Sequence, residues 1–127
     1  VTRSTALKNA ILDAICNNTP LQVAAAYISL HTADPGGNGA SEVAGGGYAR
    51  QPGSFEAAGT GAAGECRNDA IIDFTVMPAC TVTYVGVWSA LAGVWYWGGI
   101  LTAQKVVNAG DTFRFIVNAL NLKDVDV

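Results

Sequence analysis

His31 is the only histidine in the chain, so any set of nucleophile, imidazole and carboxylate has to use it. Ser29 lies two residues before it on the same side of an alternating segment, and Asp34 lies three after. The set is incomplete as catalytic machinery. No G-x-S-x-G elbow is present, and a spacing of two along a strand does not by itself create a nucleophile–base hydrogen bond. The competing reading is a histidine at a strand's end that bonds the backbone of the loop after it. No catalytic residue is assigned, and the chain is read as a non-enzyme.

Gly59-Thr60-Gly61-Ala62-Ala63-Gly64 matches G-x-G-x-x-G in letters. A dinucleotide site needs a buried strand before that run and a helix after it. Ser54 to Ala58 does not read as a buried strand, and a β-branched strand soon follows, so the run reads as a loop of small residues and no cofactor is expected. No phosphate loop is present. Cys16, Cys66 and Cys80 are three, an odd number, at wide spacing, and with a single histidine they form no metal pattern. They read as buried free thiols made in a reducing compartment. No metal is expected.

The aromatic cluster Trp88, Trp95, Tyr96 and Trp97 has three readings: core, protein interface, or a stacking platform for a glycan. In a regular strand Trp95 and Trp97 share a face. The candidate interface residues are therefore Trp95 and Trp97, together with the polar loop residues Asp34, Asn38, Ser41 and Glu42.

These residues need elements to position them. Leu7, Ala10, Ile11, Ala14 and Ile15 make one helical stripe, capped by Thr2 or Ser4 and stopped by Asn17, Asn18 and Pro20. After Pro20 the period changes to two. Ile28 and Leu30 take one face of a strand, and Tyr27, Ser29 and His31 the other. Further strands are expected at Tyr48–Gln51, Ala70–Val76, Thr81–Ser89, from Val94 with a bulge at Gly98-Gly99, and at Thr112–Leu122. Val82, Tyr84 and Trp88 should oppose Val85 and Val87, and Val117 should face inward with Phe113 and Phe115. The expected core is Ile28, Leu30, Ile72, Phe74, Val85, Val87, Phe113 and Phe115. One helix followed by seven or eight short strands predicts a mainly β fold, an antiparallel β-sandwich (jelly-roll-like) with one short N-terminal α-helix. It should be a single domain over 1–127: helix and arm at 1–19, sandwich at 20–122, tail at 123–127. Between the strands, seven of the fifteen residues from Ala33 to Gly47 are glycine or proline. The loop cannot build a core of its own, and it is expected to be mobile alone and ordered on a neighbouring subunit. The alternative folds it back on its own domain, with His31 and Arg50 holding its ends.

Composition narrows the partners. The 127 residues are half hydrophobic, which excludes disorder by composition. Only 13% are charged, against about 25% in an ordinary soluble domain. Either the surface is built largely of Ala, Gly, Ser, Thr and Asn, or part of it is covered by partners; a homo-oligomer is expected, with a trimer suggested by analogy. The net charge of −3 and seven scattered cations exclude a basic nucleic-acid footprint. The apolar run from Val82 to Leu101 is broken by glycines and polar residues, so no membrane partner is expected. Val1 to Ile15 lacks the pattern of a secretory leader.

From His31 onward the chain resembles a family of small virion proteins of tailed bacteriophages. The resemblance rests on Leu30-His31-Thr32-Ala33-Asp34-Pro35-Gly36, on Asn38-Gly39 and Glu42-Val43, and on Gly46-Gly47-Tyr48-Ala49-Arg50-Gln51. Thr81 to Ala90 is similar to the family's T-x-x-x-x-G-x-W/F-x-A strand. Leu101 to Val107 with Gly110-Asp111 and Phe115 resembles its late pattern. The chain departs in separating Asn38 from Glu42-Val43. The resemblance implies a virion structural protein, foremost a capsid decoration or minor capsid protein binding the head lattice. A tail or fiber-associated protein is the alternative, and a glycan-binding surface module a further one. The implied partners are other virion proteins, the major capsid protein or tail proteins.

Overall fold

The computed structural model of the chain describes residues 2–123. The tail expected at 123–127 lies, apart from Lys123, outside the described residues. In chain order the elements are β1 (Thr2–Arg3), α1 (Thr5–Cys16), β2 (Tyr27–His31), β3 (Gln51–Pro52), β4 (Glu65–Arg67), β5 (Ile72–Phe74), β6 (Cys80–Trp88), β7 (Trp95–Val107), β8 (Phe113–Phe115) and β9 (Asn121–Lys123).

Ser4 starts the helix. Its side-chain oxygen accepts from the Leu7 N–H at 3.1 Å, and its own N–H donates to the Tyr96 carbonyl at 2.7 Å. The cap satisfies an orphan donor of the first turn and also ties the helix to β7. Asn18 takes a left-handed φ of 51° and ends the helix, with Thr19 N–H donating to Asp13 C=O at 3.2 Å. Of the expected docking stripe, Leu7 is buried and Ala10 and Ile11 are half-buried, while Ala14 and Ile15 are exposed. The helix therefore docks by its first two turns only.

One layer is a five-stranded sheet in the order β1-β7-β6-β2-β3. The other consists of two separate antiparallel ladders, β4 with β9 and β5 with β8. The fold is mainly β and antiparallel throughout, as the change of period predicts. Its second layer is simpler than the four-stranded sheet of a jelly roll. One apolar cluster joins the layers: Ile28, Leu30, Val82, Val85 and Val87 from the sheet meet Ile72, Phe74, Phe113 and Phe115 from the β5–β8 ladder and Leu120 from the turn before β9. All eight expected core residues belong to it. Phe74 is fully buried, stacked on Tyr48 at 6.0 Å and edge-on to Phe113 and Phe115.

Register departs from simple alternation at three places. Between β6 and β7 the pairing runs from Val82 opposite Lys105 to Tyr84 opposite Ile100. Two steps on β6 thus oppose five on β7, and the bulge turns Val82 into the core beside Val85 and Val87 rather than away from them. A second shift sets Val87 opposite Trp97 but Trp88 opposite Trp95, so Tyr96 is the extra residue. Gly98 and Gly99 pair regularly with Gly86 and Val85, so the expected bulge there is absent. After Phe115, Asn118 adopts φ 66° and breaks the expected strand, which leaves Val117 48% exposed. The strand expected at Tyr48–Gln51 is reduced to the two residues of β3.

Asn68 organises the turn between the two ladders. Fully buried, its amide donates to Ala70 C=O and Ile116 C=O, each at 2.9 Å, and its side-chain oxygen accepts from Leu120 N–H at 2.9 Å. The Asn68 backbone also donates to Leu120 C=O and accepts from Asn118 N–H. Every hydrogen-bonding group of the side chain except one amide lone-pair site is engaged, as burial requires.

Candidate functional site

Of the polar residues singled out by sequence, Ser29 and His31 come together on the outer face of the five-stranded sheet. Pairing sets Ser29 opposite Gly86, and Gly86 opposite Gly98. On either side stand His31, Trp88 and Trp95. The two glycines make room: a Cβ on Gly86 would meet Trp95 Cζ3 at 2.3 Å and Ser29 Oγ at 2.6 Å, and one on Gly98 would meet Pro35 Cγ at 2.7 Å. Trp95 fills that trough, 5% exposed, edge-on to Trp88 at 5.1 Å and to His31 at 5.5 Å.

Ser29 and His31 do form a hydrogen bond, at 2.7 Å between Oγ and Nε2, which spacing alone did not establish. The proton arrangement follows from the partners. The Ala40 carbonyl, 2.8 Å from Nδ1, can only accept, so Nδ1 carries the proton. Nε2 then accepts from the Ser29 hydroxyl, which in turn accepts from the Trp88 indole N–H at 2.8 Å. Burial holds the His31 pKa below its usual value. The Ala40 carbonyl and the Glu42 carboxylate oppose that shift, and the Arg50 cation adds to it. Both residues are fully buried. The third partner is a backbone carbonyl rather than a carboxylate. The pair thus works as a hydrogen-bonded strut between sheet and loop.

A second polar chain runs along the edge of β2, where β3 has ended. Leu30 N–H donates to the Tyr48 hydroxyl at 3.0 Å, and Leu30 C=O accepts from Val43 N–H at 2.9 Å. The hydroxyl and the amide stand in for a missing strand and cover the edge. Tyr48 donates to Glu42 Oε1 at 3.0 Å; Arg50 grips the same carboxylate in a fork, with Nε and Nη2 each at 2.9 Å. Burial, together with the nearby Glu42 charge, raises the Tyr48 pKa well above the usual phenol range. Arg50 also donates to Leu91 C=O at 2.9 Å and lies 3.4 Å from the centroid of Trp88.

The loop from Ala33 to Gly47 is accordingly folded back on its own sheet, held at His31 and Arg50. This corrects the expectation of a loop free in the isolated chain: Pro35 and Val43 are buried, and Gly39 lies against Trp88 and Trp95. The candidate interface residues separate on inspection. Asp34 is exposed and accepts from Gly36 N–H at 2.8 Å; Asn38 is exposed and accepts from Ala40 N–H at 3.2 Å. Ser41 is exposed at φ 60°, and its carbonyl takes the Thr32 N–H. Glu42 is engaged by Tyr48 and Arg50. Trp97 packs against the core on the inner face, so Trp95 and Trp97 lie on opposite faces, separated by the Tyr96 bulge.

The remaining chemistry motifs find structural uses. Gly59 and Gly64 take φ of 84° and 73° in a turn that enters β4, not a helix. The described residues contain no group of three or more His, Cys, Asp or Glu side chains suited to a metal. The three cysteines are free thiols, but they are not the buried ones expected: Cys16 is exposed on the helix, and Cys66 and Cys80 are half-buried. Partial burial raises the Cys66 and Cys80 thiols, and the Glu56 charge adds to the effect at Cys66. A cleft of 460 Å³ opens between the sheet and the β8–β9 segment, lined by Val85, Trp97, Leu101, Phe115 and Leu122 among others.

What the fold and the site define is a β-rich structural module whose polar residues brace a loop against a sheet. Its family is shown by comparison: over residues 2–123 the chain matches the model described as Podophage GP4 fiber I protein gp80, and it belongs to that family. It is a structural protein of the bacteriophage virion. No curated protein matches it. The family's description favours the tail or fiber-associated alternative over capsid decoration.

Proposed function

We propose that the chain is a subunit of the fiber apparatus at the tail of a bacteriophage, acting by binding other virion proteins and performing no catalysis. The observation that carries this reading is the family match across residues 2–123. The geometry supports it. The one histidine and its serine are buried beneath a pinned loop, and Glu42, Tyr48 and Arg50 are engaged with one another and with the backbone. These contacts produce a stiff surface, and stiffness lowers the ordering cost of docking into a particle. Repeated copies then multiply weak contacts through avidity. The glycan-binding alternative has less behind it: Trp95 is buried, Trp88 lies under Arg50 and Trp97 packs on the core, so the indoles do not line up as a platform.

Gold-conjugated antibody against this chain, applied to intact virions in negative stain, tests the location. Label on appendages at the tail is expected; label on the facets of the head would return the capsid-decoration reading. A turnover abolished by His31→Ala in a variant that still folds and assembles would overturn the non-catalytic part.

A further inference from the structure

The helix α1 has two faces, and only one is used within the chain. At 100° per residue, Leu7, Ala10, Ile11 and Ala14 form one stripe, and Leu7 seats it on the body through its first turns. Directly opposite runs a second stripe: Thr5, Asn9, Leu12 and Cys16, all exposed. Lys8 and Ile15 flank it on one side, Ala6 and Asp13 on the other. Leu12 is 57% and Ile15 76% exposed, and every residue from Leu12 to Ala24 is exposed. A 12-residue helix is marginal alone in water, and the second half of this one has no protein beneath it among the described residues.

Thr5, Asn9, Leu12 and Cys16 have the spacing d-a-d-a of a heptad. Lys8 is then a g position and Asp13 the following e position. A g residue meets the e residue five places on in a neighbouring helix that runs parallel. In such a seam Lys8 would face Asp13 of the partner subunit, with opposite charge. The a-position Asn9 is the residue type that sets register and copy number in such seams. Both charges, the seam and the polar register residue come from the same short helix, so the occupant this face matches is itself.

We propose that the exposed face of α1 packs in parallel against the same face of a second copy of this chain, so that copies gather around a rotation axis running along their helices. The seam places Leu12 against Leu12 of the partner subunit and Cys16 against Cys16 of the partner subunit at one level. An antiparallel pair would separate the two thiols by the length of the helix. The inference goes beyond the fiber assignment and does not rest on it, because it concerns contact between copies wherever they sit in the virion.

The test is copper-phenanthroline oxidation of the full chain, both as purified protein and in intact virions, read as a dimer band on non-reducing gels. A band is expected that is lost in Cys16→Ala and kept in Cys66→Ala and Cys80→Ala. Lys8→Asp should weaken it, and Lys8→Asp combined with Asp13→Lys should restore it. Leu12→Asp should abolish it and bring the sedimenting mass down to that of one chain, while the circular dichroism of the β body stays unchanged. Absence of a Cys16-dependent dimer in both purified protein and virions overturns the proposal. So does a dimer indifferent to Leu12→Asp. Head-facet labelling in the antibody experiment would refute the fiber reading and leave this result standing.

Discussion

Replacing Asn68 with alanine removes three hydrogen bonds at once, one of them fully buried, and tests whether one amide holds the second layer together. The side chain is fully buried, and its partners Ala70, Ile116 and Leu120 lie up to 52 residues away in sequence. After Asn68→Ala, the Leu120 N–H loses its side-chain acceptor inside the cluster that contains Leu120 itself. An unsatisfied buried group costs about 1–3 kcal/mol. The Ala70 and Ile116 carbonyls belong to residues with exposed side chains, so water can replace part of what they lose. The sum expected is about 2–4 kcal/mol, read as a lower urea midpoint with an unchanged slope. Asn68→Asp separates geometry from chemistry. It keeps the acceptor for Leu120 but sets a carboxylate against two carbonyls, so it should be the more damaging variant at neutral pH and should improve on acidification. A loss below about 1 kcal/mol for Asn68→Ala, the scale of one ordinary hydrogen bond, would refute the view that Asn68 organises the turn.

Gly86→Ala should cost about 1–3 kcal/mol by overpacking, because its Cβ has Trp95 and Ser29 within 2.6 Å; a melting temperature equal to that of the parent would contradict the trough described for Trp95. The His31 pKa is lowered in the folded state from 6.5, so the unfolded chain binds the proton first and stability falls as pH drops below about 6.5. The slope contributed is at most about 1.4 kcal/mol per pH unit, and denaturant melts across pH should show it flattened in His31→Gln. Arg50→Ala removes the fork to Glu42 and the cover over Trp88, and hydrogen exchange should then quicken across residues 36–46 while the β6–β7 ladder keeps its protection; unchanged exchange in the loop would show that His31 alone pins it.

What could be read from the sequence is what the backbone decides locally. A strand turns successive side chains to opposite faces whatever lies beyond it, so Ile28 with Leu30, Ile72 with Phe74, Val85 with Val87, and Phe113 with Phe115 pointed inward from their spacing alone. Ser4 capped its helix for the same reason: the donor it satisfies is three residues away. The loop between Ala33 and Gly47 was recognisable as an element, but its resting place was not. Its contacts are with Trp88 and Trp95, and those indoles reach it only because Gly86 and Gly98 meet across β6 and β7. The same pairing decided the two bulges that swing Val82 inward and divide Trp95 from Trp97 between faces. Asn68 gave no sign of this role, since two of its three side-chain partners, Ile116 and Leu120, come from the distant segment between β8 and β9. Register and long-range satisfaction depend on which strands come to lie side by side, and one strand's alternation holds no information about the offset of its neighbour. Period and capping were therefore properties of the sequence, while the buried polar struts, the bulges and the seat of the loop were decided by the packing of the whole chain.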